Sequence, residues 1–336
     1  VLLSEDQVSA FQHGQPVDAE SHSRGKRSAF YVQSGLTMPG AAEKHWYILA
    51  DINQGPSQLR VLLAEIRQGV TSDEIEADIV AGEKHLLQLV GDADGCQVSA
   101  DPLTTARHFS NTLFNIMRGG AFYDDYVFPP ADFLEFVQMW NAPLKEKFSE
   151  LLDGLEADVT LDSVLEAARK NGDPDMERLA LEYLPLTFSR RHGDPSRPWN
   201  QFSIDIRNED GSDRLHFQGN WRDIFQNWEA LSLSYPEYIE SFITKFVNAS
   251  TADGYNPYRI TRRGIDWEVL EPENSWSNIG YWGDHQINYL LKLIELSQKY
   301  HPGKLGELLG RDIFVYANVP YRIKGYQDLV SDPRDT

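Results

Sequence analysis

The chain has 336 residues, 41% hydrophobic and 12% aromatic, enough for one large domain or two around a substantial core. Its 51 acidic residues against 31 basic ones give a formal charge of −20, which leaves no electrostatic footprint for a nucleic-acid backbone or an anionic membrane surface and argues against both partners. A single cysteine, Cys96, cannot close an internal disulfide or build a Cys–His metal site, which fits a reducing, cytoplasmic compartment with no metal; no apolar run approaches the roughly 18 residues of a membrane span.

In chain order, residues 1–27 are polar, carry no periodicity and read as loop. Two aromatic and β-branched runs, Ala29–Leu36 and Lys44–Ile52, flank the Pro-Gly turn TMPGAAE and predict a strand pair, the edge of a β-sandwich within a first segment over 1–54. From Gly55 the period becomes helical. Leu59, Leu62, Leu63 and Ile66 share one helix face; Ser72, Ile75, Ile79 and Leu86 to Leu89 indicate a second helix; Phe109, Leu113, Phe114 and Met117 mark a third over Pro102–Arg118, stopped by Gly119-Gly120. The loop FYDDYVFPP carries Asp124 and Asp125, which lack the spacing of a calcium loop and read as solvated or capping acids. Further helices are predicted over 131–153, 161–170 and 174–188, completing a helical linker over 55–188. The aperiodic, Pro- and Arg-rich SRRHGDPSRPWN then opens the last segment, 189–336, with a β-hairpin over about 201–218.

The centre of the sequence is Gln218–Ile287, which holds five tryptophans: Trp221, Trp228, Trp267, Trp276 and Trp282. Asn220 is placed to cap a helix in which Trp221, Ile224, Phe225 and Trp228 fall at i, i+3, i+4 and i+7, opposite Arg222, Asp223, Gln226 and Asn227. Ser234–Glu237 has the form of a capping box for a second helix with Ile239, Phe242, Ile243, Phe246 and Val247 inward. A loop over 250–283 leads to a third helix capped by Asp284, with Ile287, Leu290, Leu291 and Ile294 inward. Helices one and three then run the same way, so Arg222, Asp223, Asp284, His285 and the long loop converge on one rim, where helix N-termini offer free N–H groups.

Indole faces interleaved with carboxylate, guanidinium and amide groups suit a sugar ring, whose C–H faces stack on aromatics while its hydroxyls need donors and acceptors. The substrate-holding set is therefore Trp221, Arg222, Asp223, Gln226, Arg259, Trp267, Trp276, Trp282 and His285; Trp221 and Trp228 are expected on the buried helix face, and Trp276 and Trp282 along a cleft. The carboxylates available for chemistry are Asp266, Glu268 and Asp284, beside Asp223. The plainer alternatives stay open: tryptophans as core and rim, Asp284 as a helix cap, Asp223 as an ion-pair partner of Arg222 or Arg262, and His285 as a donor to a neighbouring acid.

GNWRDIFQN resembles the Tyr-Arg-Asp-x-x-Gln-Asp motif of the glycoside hydrolase family 94 phosphorylases, which act on cellobiose and chitobiose, and GYWGDHQINYLLKLIE resembles their Ser-Asp-Asp-His-x-Trp segment. The chain departs at Asn227 and Gly283, where that family has Asp, and Asp266-Trp267-Glu268 precedes the His segment although the family's acid-bearing Asp-Trp-Asn-Asp follows it. The resemblance, spread over about residues 28–300, implies a mainly α fold with a small β part: β-sandwich strands, helical linker, then (α/α)6-toroid-like helical hairpins of a six-hairpin glycosidase relative. It implies inverting cleavage of an oligosaccharide or disaccharide, by water or by inorganic phosphate as co-substrate, with no other cofactor; a non-catalytic sugar-binding or structural module is the alternative. Too few helices follow the hairpin to close a toroid of about six helical hairpins, and the chain starts at Val1 and stops at SDPRDT. Both features are expected of an excerpt whose partners include the remaining domains of a parent chain.

Overall fold

The computed structural model describes residues 1–26, 28–50, 54–154, 159–190, 204–208, 211–267, 281–282, 285–319 and 326–331. These form two compact units, Val1–Asp78 and Ile79–Thr336, in a mainly helical fold with small sheets.

In the first unit, β1 (Leu2–Ser4) pairs antiparallel with β2 (Ser28–Tyr31), placing Leu2 opposite Tyr31. The polar N-terminal segment is therefore not plain loop, and residues 29–31 do not pair with 44–50 as expected. The reason is local: Gln7 exchanges hydrogen bonds with the backbone of Asp18, and the Glu20 carboxylate accepts from the Leu3 amide and from Gln7. These bonds fold the chain back beyond α1 (Val8–Gln12) and lay Leu2–Ser4 beside β2, and the donors hold Glu20 below the usual carboxylate range. Residues 51 and 52 of the second run lie outside the described residues. Then α2 (Pro56–Gln68) starts on proline and ends at Gly69, whose φ of 90° is open to glycine. Thr71 and Glu74 reciprocally cap α3 (Ser72–Asp92), of which the residues from Ile79 on belong to the second unit.

In the second unit, α4 (Pro102–Gly119) is capped by the Asp101 carboxylate and stopped at Gly120. A short β3 (Ala121–Phe122) pairs with β4 (Leu186–Thr187), and between them run α5 (Pro130–Trp140), α6 (Lys145–Asp153), α7 (Leu161–Asn171) and α8 (Pro174–Glu182). The helix predicted over 131–153 is thus broken at Asn141–Leu144, where Pro143 sits in a 3-10 turn. The helix predicted to 188 stops at 182, because Pro185 favours extended backbone before it and β3 accepts the strand that follows.

The core is aromatic. Phe133 meets Phe148 and Tyr183 edge-on at 5.0 Å, and Phe122 stacks on Tyr238 at 3.9 Å. The predicted stripe of α9 (Trp221–Leu231) is realised: Trp221, Ile224, Phe225 and Trp228 are all buried, and the Trp228 indole donates to the Gly119 carbonyl at 2.8 Å. No capping box forms at Ser234, which donates to the Ala93 carbonyl while Pro236–Tyr238 makes a 3-10 turn into α10 (Ile239–Ala249). Inside α10, Lys245 is fully buried; its ammonium donates to the Glu182 carbonyl and lies 4.2 Å from the Trp140 ring centre. Burial pushes its pKa down to about 8.

The expected long loop over 250–283 contains strands instead. β6 (Tyr255–Asn256) pairs with β9 (Tyr281–Trp282), and β7 (Arg259–Thr261) and β8 (Gly264–Asp266) form a hairpin that joins β5 (Gln218–Asn220) in a three-stranded antiparallel sheet. Of the hairpin predicted over 201–218, residues 201–203 and 209–210 lie outside the described residues, and the described ones form a single bridge, between Arg207 and Asp213. In α11 (Gln286–Tyr300) the inward residues are Gln286, Leu293 and Ser297, with Leu290 and Ile294 partly buried, whereas Ile287 and Leu291 are exposed; the helix is rotated from the face the sequence suggested. α12 (Lys304–Leu309) packs on α11, and α13 (Tyr326–Ser331) is the last described element.

Candidate functional site

The site grows from one junction, where β5 runs straight into α9. Gly219 allows it, because a Cβ there would come within 2.8 Å of Ile224 Cδ1 in the first turns of the helix. The Trp221 amide then donates to the Tyr258 carbonyl at 3.0 Å, tying the helix start to the strand beside it. Register places Asn220 opposite Arg259 and Arg259 opposite Asp266, a row of three side chains across the sheet at the N-terminal end of α9.

On that row the Arg259 guanidinium is ion-paired with the Asp266 carboxylate, both part-exposed. In the first turn of α9, Asp223 Oδ1 lies 3.5 Å from His285 Nε2, and each side chain is 37% exposed. His285 is the residue at the N-cap of α11. Thus the N-termini of α9 and α11 sit side by side, as chain direction required, and the Asp223 carboxylate occupies the positive end of a helix dipole. Arg222 is half-buried and Gln226 exposed on the same side of α9, away from the core stripe. The Trp267 ring stacks on Tyr255 at 5.7 Å and 29°, beside the strand that pairs with Trp282.

The sequence-derived residues therefore divide. Asp223, His285, Arg259 and Asp266 are brought to one end of the α9–α11 pair, with Trp267 next along the chain. Trp221 belongs to the core and not to a sugar contact: its faces are covered by Phe225 at 4.7 Å and Phe246 at 5.2 Å. Glu268, Trp276 and Asp284, and the side chain of Trp282, lie outside the described residues. The suggested pairing of Asp223 with Arg262 does not occur; Arg262 is turned inward onto Asp132, with its Nη2 2.6 Å from the carboxylate. That contact was beyond sequence reasoning, since its partners are 130 residues apart.

Chemically, an accepting carboxylate, an imidazole and a guanidinium at one part-exposed end, with an aromatic ring alongside, are the groups that hold vicinal hydroxyls. Among the described residues no group of three or more His, Cys, Asp or Glu side chains is placed to hold a metal ion, and no helix is long and apolar enough to cross a membrane. A cleft of about 260 Å³ opens at the opposite end of α9 and is lined by Asp94, His108, Asn111, Asn115, Leu231 and Ser234 among others.

Residues 122–185, from β3 through α8, match the family model described as glycoside hydrolase family 149 insertion domain 1. The curated proteins contain no match to the chain. Through that segment, which is well short of half the chain, the protein is related to the glycoside hydrolases, by similarity to an inserted module of one of their families.

Proposed function

We propose that the chain belongs to a carbohydrate-active protein and that a saccharide is held at the N-terminal ends of α9 and α11, against the β7–β8 hairpin. The observation that carries this reading is the approach of Asp223 to His285 beside the Arg259–Asp266 pair. Asp223 accepts from a hydroxyl, His285 and Arg259 donate, and Trp267 offers a ring at the edge. Following the resemblance to family 94, the reaction is inverting cleavage of an oligosaccharide or disaccharide. Asp266, Glu268 and Asp284 are the carboxylates that would serve as general acid or base, and water or inorganic phosphate would attack from the opposite face of the sugar. In the same reading, residues 189–336 begin a toroid of helical hairpins, and the lone, exposed Cys96 suits a reducing, cytoplasmic setting.

The second reading is a non-catalytic sugar-binding or structural module. It is favoured by one observation: the family match is to an insertion domain and not to a catalytic one. Calorimetric titration of the chain with gluco- and N-acetyl-configured oligosaccharides tests the site common to both. Each hydrogen bond to a charged group is worth about 1.5–3 kcal/mol, so Asp223→Ala should weaken binding about tenfold or more. Equal affinity in the two proteins would remove Asp223 from the site.

A further inference from the structure

The turn between β7 and β8 holds two consecutive arginines with opposite fates: Arg263 is exposed, whereas Arg262 is only 5% exposed. At the tip of a short hairpin a side chain ordinarily reaches water, so the burial of Arg262 needs a cause, and α5 supplies it. Arg262 Nη2 donates to the Asp132 carboxylate at 2.6 Å and to the Asp132 carbonyl at 3.1 Å, and Nη1 lies 3.6 Å from the Glu135 carboxylate. The other Asp132 oxygen accepts from the Tyr183 hydroxyl at 2.6 Å. Tyr183 is itself buried between Phe128 and Phe133, and burial together with the Asp132 charge holds its hydroxyl protonated, well above the usual phenol range. The backbone is clamped as well: the Trp140 indole donates to the Arg262 carbonyl at 3.1 Å, and the Arg262 amide donates to the Phe217 carbonyl at 3.0 Å.

We propose that Asp132, Arg262 and Tyr183 are positioning residues that lock the β7–β8 hairpin, and with it Arg259 and Asp266, onto the α5–α8 segment. The mechanism is geometric. Arg259 stands three residues before Arg262 in the same hairpin, and the strands on both sides of the turn end in the Arg259–Asp266 pair. Fixing the tip therefore fixes where that pair stands beside Asn220 at the N-terminal end of α9. Nη2 alone meets the Asp132 carboxylate and carbonyl while Nη1 faces Glu135, two separate nitrogens on one rigid planar group that the single ammonium of a lysine cannot reproduce in the same geometry. The segment similar to a glycoside hydrolase insertion domain would then hold a neighbouring site in shape without contributing a contact to the sugar. This inference rests on the saccharide reading for its functional meaning and on the hydrogen bonds for its structural content.

The test is hydrogen exchange by mass spectrometry on the full chain, paired with oligosaccharide titration, for wild type, Asp132→Asn, Arg262→Lys and Tyr183→Phe. Asp132→Asn and Arg262→Lys are expected to speed exchange in residues 258–266 by about tenfold or more, with α4 and α7 unchanged, and to weaken saccharide affinity about fivefold or more. Tyr183→Phe removes one hydroxyl and is expected to give a smaller effect, about threefold, in the same peptides; it decides the matter if the charge variants do not fold. Wild-type exchange at 258–266 in Asp132→Asn and Tyr183→Phe would overturn the proposal. So would uniform acceleration across 79–319, the mark of a merely stabilising contact. If the wild-type chain binds no saccharide, the sugar reading falls, and local exchange at 258–266 still upholds or overturns the lock.

Discussion

Two helices of this protein carry the same sequence signal and meet different fates. In α2, Leu59, Leu62, Leu63 and Ile66 repeat at helical spacing and are 45%, 37%, 50% and 57% exposed. In α9, Trp221, Ile224, Phe225 and Trp228 repeat at the same spacing and none is more than 1% exposed. The stripe specifies a helix in both cases, but burial also needs a complementary surface. α9 finds one in α4, whose Gly119 lets the Trp228 ring approach its backbone: a Cβ at Gly119 would sit 3.1 Å from the indole. α2 presents its stripe within a unit that gives it no such surface among the described residues, so periodicity there is a statement about conformation and not about packing.

Mutation sharpens this contrast. Trp228→Ala should have the largest effect, about 3–5 kcal/mol of lost stability in chemical denaturation, because it empties a packed site and leaves the Gly119 carbonyl without its donor. A loss under about 1 kcal/mol would mean that the α4–α9 seam is not the core described.

Next in size is a pH effect at Lys245. Its folded pKa is depressed to about 8 by burial from an ordinary 10.5. Below pH 8 both folded and unfolded chains carry the proton, and the folded state bears the whole cost of a buried ammonium. Between pH 8 and 10.5 the folded state releases the proton first, so stability from this group rises with pH, by on the order of 3 kcal/mol in total. The difference in unfolding free energy between wild type and Lys245→Met isolates that term. It should move in favour of wild type as pH climbs through this window; a difference independent of pH would mean the ammonium is solvated. At the bottom of the scale, Leu62→Ala in α2 should change stability by less than about 0.5 kcal/mol, as an exposed site with a good helix former on both sides of the exchange. A cost above about 2 kcal/mol would show that the α2 stripe is packed after all.

What could be read in advance follows from how far each contact reaches along the chain. The α9 stripe, the Gly119–Gly120 stop and the convergence of two helix N-termini are local or directional, and they were legible. The β7–β8 hairpin was not, because its turn lacks an Asn-Gly or Asp-Gly tip. Thr261 makes the turn with its own hydroxyl, accepting from the Arg263 and Gly264 amides at 3.2 and 3.1 Å. Nor could the sequence show that Pro185 would turn the end of a predicted helix into β4, since the partner strand lies more than sixty residues earlier. At the candidate site the meeting of Asp223 and His285 follows from helix direction, and Arg259 and Asp266 were expected at the same rim as parts of a loop; their pairing across a strand register is what no periodicity announces.

The central claim is that the N-terminal ends of α9 and α11, with the β7–β8 hairpin, form a saccharide site. Hydrogen exchange of the intact chain with and without a saturating oligosaccharide tests it most directly. Protection is expected in three stretches, 218–223, 258–266 and 285–288, which are separate in sequence and adjacent in the fold. Protection confined instead to residues 93–116 and 230–234, at the cleft on the far end of α9, would contradict the account and move the site there.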